Sequence, residues 1–193
     1  MNNLSAVILA GGKSKRMAGN DKAKLMFDGE TFFDRIKNSL SDFGEVKISV
    51  DQSIRFPDNQ TEIIIDPFPD CGAISGLYAA LDNTCYDWVF VIANDMPLAE
   101  KNLINFLCSF VNEEYDAIIP VTRDGRLHPL CALYHKRTLP LVKQQIEAGN
   151  YRVMDAIKLM KVKEVYLRET EYADEVLMNI NTPEDYKRLK ELT

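Results

Sequence analysis

Ala6-Val7-Ile8-Leu9-Ala10-Gly11-Gly12 carries five apolar residues straight into a pair of glycines. A run without polar alternation buries both faces of its strand, the condition of a strand in the middle of a parallel sheet. The same form recurs at Trp88–Ile92, which runs into Ala93-Asn94-Asp95-Met96-Pro97. Between these two strands, Val46–Val50 and Glu62–Asp66 read as strands, and Pro67-Phe68-Pro69-Asp70 closes the second with a turn. Helices fill the gaps. Thr31 opens one with Asp34 at the capping-box position, and Phe32, Phe33, Ile36 and Leu40 form its apolar face. Another runs from Ala73 to Leu81, with Ile74, Leu77, Tyr78 and Leu81 at helical spacing, and a third from about Glu100 to Phe110. With a strand at Asp116–Val121, the order is βαββαβαβ. It predicts an α/β fold: a Rossmann-like, doubly wound, mainly parallel sheet with helices on both faces.

The remainder is less regular. Pro129–Tyr134 reads as a strand returning from a turn at Asp124-Gly125. Thr138–Ala148 and Val153–Met160 read as helices, and Val162–Leu167 as a strand. Thr182 caps a final helix with Pro183 at its first position and Asp185 three residues after the cap. There is no internal repeat, low-complexity stretch or linker, so the expectation is one domain over residues 1–193.

Composition narrows the function classes. The 193 residues are 46% hydrophobic and 27% charged, as in an ordinary globular protein with a real core. A net charge of −6 argues against binding nucleic acid over the whole surface. No stretch is long and apolar enough for a membrane span, and no basic leader precedes the first strand, so the cytoplasm is expected. Cys71, Cys85, Cys108 and Cys131 form no CxxC pair. Two disulfides are arithmetically open, but reduced thiols are expected. With His128 and His135 the only imidazoles, a zinc site is not.

The chemistry concentrates at the strand ends. After Leu9-Ala10-Gly11-Gly12 come Lys13, Lys15, Arg16 and Lys22. Glycine removes the Cβ that blocks approach to a phosphate, and successive N–H groups make an anion-binding concavity. A lone glycine pair beside basic residues is usually a solvated turn. Here it follows the first buried strand, where open α/β sheets bind ligands. Neither the Walker nor the dinucleotide glycine pattern is present. Asp95 follows Trp88–Ile92 and can hold Mg²⁺, or simply cap the next helix. Asp66 ends its own strand and is followed by Gly72 and Gly76. Gly11, Asp66 and Asp95 are therefore expected at one edge of the sheet. Asn181, His128 and Arg152 each have a plain structural reading as well: a turn residue, a packed histidine and a surface cation.

Leu9-Ala-Gly-Gly-x-Ser-x-Arg16-Met with Asp21-Lys22 resembles the MobA-like nucleotidyltransferases, whose fold is that of the nucleotide-diphospho-sugar transferases. The likeness continues in order through Asp66, Asn94-Asp95-Met96-Pro97, Gly125-Arg126-x-His128-Pro129, Gly149-x-x-Arg152 and Asn179-x-Asn181-Thr-Pro-Glu-Asp185. It implies transfer of GMP from GTP to molybdopterin, giving a molybdopterin guanine dinucleotide and pyrophosphate. It further implies that Leu9, Ala10, Gly11, Gly12 and Lys22 contact GTP. Asp66 would sit near the guanosine, Asp95 would bind Mg²⁺, and Arg16 and Lys22 would offset charge on the leaving pyrophosphate. Asp51 stands where the family usually has an asparagine that contacts the nucleotide. Arg152, His128 and Asn181 are the pterin candidates. A molybdoenzyme or another cofactor-biosynthesis protein would receive the product.

Two departures bear on the base. Gly72-Ala-Ile-Ser-Gly76 lacks the proline usual after the first glycine, while Gly11-Gly12 resembles the guanylyl rather than the cytidylyl branch. A cytidylyl- or sugar-phosphate transferase of the same fold remains open at this point, as does a GTP- and molybdopterin-binding delivery protein without catalysis.

Overall fold

The computed structural model describes residues 1–11, 25–51 and 61–192. The glycine-to-lysine segment that carries Gly12, Arg16 and Lys22 lies outside the described residues.

The chain begins with β1 (Ser5–Leu9), a hairpin of β2 (Met26–Phe27) and β3 (Glu30–Thr31), and α1 (Phe32–Ser39). It continues through β4 (Glu45–Val50), β5 (Glu62–Ile65), α2 (Ala73–Asn83), β6 (Trp88–Ala93) and α3 (Lys101–Cys108). β7 (Ala117–Val121), β8 (Cys131–His135), α4 (Leu139–Glu147), α5 (Val153–Ile157), β9 (Val162–Tyr166) and α6 (Pro183–Lys190) complete it. Among the described residues, seven strands join in the order β5-β4-β1-β6-β8-β7-β9. Strands β5, β4, β1 and β6 are mutually parallel, and β9 is parallel to β7. Only β8 runs against its neighbours, pairing antiparallel with both β6 and β7. The doubly wound, mainly parallel expectation holds.

The two faces explain the unbroken apolar runs. On one face Phe33, Ile36 and Leu40 pack with Leu103, Ile104 and Leu107 against Ile8, Ile48 and Ile92. On the other, Leu77, Ala80 and Leu81 of α2 join Val142 and Ile146 of α4 against Val7, Val89 and Val91. Every residue of β1 and of β6 is buried, which at roughly 1.5–3 kcal/mol per large apolar side chain makes these strands the energetic centre.

Ends are set by local chemistry. Thr31 caps α1, accepting from the Asp34 N–H at 3.0 Å while its hydroxyl donates to the Asp34 carboxylate at 2.6 Å. Thr182 and Asp185 form a full capping box, and Asp185 also accepts from the Asn181 N–H at 2.9 Å. Several expected boundaries move inward. The expected helix at Val153–Met160 stops at Ile157, and Leu159 beyond it is 60% exposed. The strand expected at Pro129–Tyr134 begins at Cys131, because Pro129 and Leu130 complete the turn that returns the chain: the Cys131 N–H donates to the His128 carbonyl at 3.1 Å. A 3₁₀ turn at Lys136–Thr138 precedes α4.

All four cysteine thiols are free. Among the described residues, no helix is long and apolar enough to cross a membrane.

Gly44, at the entry to β4, packs where no side chain fits. A Cβ there would stand 2.1 Å from the Asn2 carbonyl oxygen and 2.8 Å from the Tyr86 ring. Backbone cannot yield as a flexible side chain does. Gly44→Ala is therefore expected to destabilise the fold by about 3 kcal/mol. The melting temperature should fall by roughly 6–12 °C. A fall under 2 °C would contradict this packing.

Candidate active site

The strand order places a switch point between β1 and β6. From β1 the chain passes to β4 on one side, whereas β6 lies on the other, so the connections diverge and leave a crevice at the strands' carboxyl ends. Residues from three separated segments meet there. The Ala10 N–H donates to the Ser49 carbonyl at 2.8 Å, and the Asn94 N–H donates to the Leu9 carbonyl at 3.1 Å. The backbone leaving β1 is thereby tied to β4 on one flank and to the end of β6 on the other.

Gly11 follows directly. A Cβ on it would lie 3.1 Å from the Asp66 carboxylate oxygen Oδ2 and 3.2 Å from the Asp51 backbone nitrogen. Glycine thus relieves a tight approach at this position, and Asp66 and Asp51 both border it. Asp66 is anchored by its own N–H to the Val50 carbonyl at 2.9 Å and accepts at Oδ1 from the buried Ser49 hydroxyl. Burial raises the Asp66 carboxyl to about 6, with the nearby Asp51 charge adding to the rise and the Ser49 hydrogen bond opposing it.

Asp95 sits two residues beyond β6. It does not cap α3, whose N-cap is Glu100, so the helix-cap reading of this aspartate is set aside. Its Oδ1 accepts from Asn179 Nδ2 at 2.8 Å, and its carbonyl accepts from the Ile180 N–H at 2.8 Å. The Asn179–Asn181 segment is thus clamped to the end of β6. Among the described residues no group of three or more His, Cys, Asp or Glu side chains could hold a metal ion. A carboxylate at Asp95 fits the mode in which Mg²⁺ takes one or two protein oxygens and fills its shell from substrate phosphates and water.

Beside Asp95 opens a cleft of about 360 Å³ whose lining includes Thr122, His128, Asn179, Asn181, Asp185 and Arg188. Asn179 belongs both to this cleft and to the contact with Asp95. His128 is buried, and its Nε2 lies 3.4 Å from the Thr122 hydroxyl. Burial lowers its imidazole to about 4; the Arg126 charge adds to this while Asp124 and Asp174 oppose it. At neutral pH the cleft therefore presents a neutral ring that can donate or accept, but not a cation.

The structure brings Leu9, Ala10, Gly11, Asp51, Asp66 and Asp95 to one sheet edge, and places His128 and Asn181 in the adjoining cleft. Arg152 is exposed before α5 and does not line that cleft. Ser49 and Asn179 are the two polar partners to which the sequence reading gave no role, Asn179 standing there only as part of the Asn179-x-Asn181 motif. The alternation of β4, which sets Ser49 in one row with Glu45 and Lys47, was the available signal for the first.

The family model for MobA-like NTP transferase domains matches residues 6–165. The chain belongs to the MobA-like NTP transferase family. This MobA-like chain is 34% identical, over 96% of its length and 95% of the relative's, to a probable molybdenum cofactor guanylyltransferase of Clostridium perfringens. Its fold is like that of molybdopterin-guanine dinucleotide biosynthesis protein A from Archaeoglobus fulgidus, with a TM-score of 0.79 at 24% identity and 97% coverage of both chains. It also shares its fold with a Mycobacterium tuberculosis protein crystallised in complex with manganese, at TM-score 0.68 and 14% identity over 99% of this chain and 100% of that one.

Proposed function

We propose that this MobA-like chain transfers GMP from GTP to the terminal phosphate of molybdopterin, yielding molybdopterin guanine dinucleotide and pyrophosphate. The carrying observation is the meeting of Gly11, Asp66 and Asp95 at a switch-point crevice with a second cleft beside it. Two neighbouring compartments suit a reaction that joins a nucleotide to a phosphorylated acceptor. Likeness in sequence to a guanylyltransferase supports the choice of substrates.

In this reading Leu9, Ala10, Gly11, Gly12 and Asp51 contact GTP through the close backbone approach that glycine allows. Asp66 accepts a hydrogen bond from the guanosine. Arg16 and Lys22 oppose the negative charge that grows on the leaving pyrophosphate. Asp95 would hold Mg²⁺, which would supply charge neutralisation and orientation for the phosphates. A phosphate oxygen of molybdopterin forms a bond to the α-phosphorus as the bond to pyrophosphate breaks. The attacking oxygen is already anionic, so no general base is required, and catalysis reduces to positioning and electrostatics. His128 and Asn181 are placed to receive the acceptor. Arg152 stands outside the lining of their cleft. A cytoplasmic location fits this reading.

Fold likeness alone does not choose the base. A panel of GTP, CTP, ATP and UTP, each supplied with molybdopterin and Mg²⁺, does. Pyrophosphate release with GTP at least about tenfold faster than with CTP is the expected result, corresponding to roughly 1.4 kcal/mol of discrimination. Faster release with CTP would reassign the base and keep the chemistry. GTP bound without any release would favour a delivery protein.

A further inference from the structure

Ser49 carries the one hydroxyl of β4, on the same row as Glu45 and Lys47. It lies inside β4, paired with Leu9 on one side and Ile64 on the other, and it is 1% exposed. A valine or alanine would fill such a position without a polar group to satisfy. A buried hydroxyl needs a partner, and this one donates to Asp66 Oδ1, 17 residues further along the chain. The neighbourhood is built around that bond. Gly76 of α2 faces it, where a Cβ would stand 3.2 Å from the Ser49 hydroxyl and 3.0 Å from a Leu9 methyl. The missing side chain at Gly76 lets α2 close over the serine. The next residue back, Ser75, accepts from the Phe68 N–H at 3.2 Å and so holds the turn that follows Asp66.

We propose that Ser49 is a positioning residue for nucleotide binding: by holding one carboxylate oxygen of Asp66 it fixes the other against Gly11, ready to accept from the nucleoside. The inference rests on the nucleotide-binding reading of Asp66. Three features support it. The second oxygen, Oδ2, is the one that borders Gly11. The serine is sealed from water by β1, β4 and α2. The hydrogen bond also favours the ionised carboxylate, against burial and against Asp51, the other charged group facing it.

The test is a set of variants, Ser49→Ala, Ser49→Thr and Asp66→Asn, read in two ways. In the ligand-free protein, the Asp66 carboxyl is titrated by carbon NMR. In turnover, KM for GTP and kcat are measured from pH 5 to 9. Ser49→Ala should move the Asp66 midpoint upward by about one pH unit and raise KM for GTP at pH 7 by about tenfold, the range for a hydrogen bond to a charged group, with far less effect on kcat. Most of that rise should persist near pH 9, where Asp66 is ionised in both, because what is lost is the placement of the carboxylate rather than its charge. Ser49→Thr, which keeps the hydroxyl, should restore most of the lost affinity. An unmoved Asp66 midpoint in Ser49→Ala, or a moved midpoint with GTP KM unchanged at every pH, overturns the proposal. If Asp66→Asn itself leaves GTP KM untouched, it is the nucleotide role of Asp66 that fails. The ligand-free titration then still reads whether Ser49 holds the carboxylate.

Discussion

Asp95→Asn and Asp95→Ala are expected to lose about 10³-fold or more in turnover while remaining folded, a loss of roughly 4 kcal/mol of transition-state stabilisation. The reasoning starts from position. Asp95 stands beyond the end of a fully buried central strand, so its backbone is placed by β1, β6 and β8 rather than by its own side chain. Its side chain is half-buried and meets Asn179, a neutral amide. It does not cap α3. Removing the carboxylate leaves that backbone placement in force, and the melting temperature should move by no more than about 4 °C, in line with a cost near 1 kcal/mol. The Asn variant is the cleaner of the two, because it keeps shape and hydrogen-bonding capacity and loses only the charge and the hard oxygen pair. Turnover per folded molecule is the deciding readout. Activity within tenfold of wild type in either variant would remove Asp95 from the reaction.

Asp66→Asn is expected to act in two opposite directions. The Asp66 carboxyl is raised from 3.8 to about 6 in the fold, so the folded state binds its proton more tightly than the unfolded chain does. Between those two values the folded state holds more protons, and stability must fall as pH rises through the window. Above pH 6 the ionised carboxylate therefore lowers stability by up to about 3 kcal/mol, from two pKa units at 1.36 kcal/mol each. The amide escapes this. At pH 7 the variant should melt roughly 5–10 °C higher than wild type, and the difference should shrink as pH falls and vanish below the unfolded value of 3.8, where Asp66 is neutral in both states. His128 works the other way: depressed from 6.5 to about 4, it adds stability above pH 6.5 that is lost as pH falls toward 4. In wild type the two effects overlap and offset each other between pH 4 and 6. In Asp66→Asn the histidine's acid sensitivity should stand alone. GTP affinity should meanwhile drop at least tenfold, because a charged acceptor has been lost. A carboxylate kept where it weakens the fold is what a binding site requires and a purely structural residue does not. An unchanged or lower melting temperature at pH 7 would contradict the burial argument.

Much of this fold was legible because its central strands are buried on both faces. Ala6–Ala10 and Trp88–Ile92 announce themselves by unbroken apolar sequence, and the switch point follows from their place in the strand order. Thr31 and Thr182 marked helix starts because caps are chemistry within three residues. Ends set by tertiary contact were less readable. Val153–Met160 has helical spacing throughout, yet the helix stops at Ile157, before the exposed Leu159 and the buried Met160. The two-residue strands β2 and β3 are too short to leave a periodic trace. At the site, Gly11, Asp66 and Asp95 could be grouped because strand ends share an edge. Their supports could not. Asn179 lies 84 residues from Asp95 and Ser49 lies 17 from Asp66, and no local pattern reports a contact across such distances.

The most direct test of the account follows two labels on GTP supplied with Mg²⁺ and molybdopterin. Guanylyl transfer predicts that a label on the α-phosphate enters the molybdopterin product while a label on the γ-phosphate leaves in pyrophosphate, in equal amounts. A γ-label found on the acceptor, or in free inorganic phosphate with no α-label transferred, would contradict it.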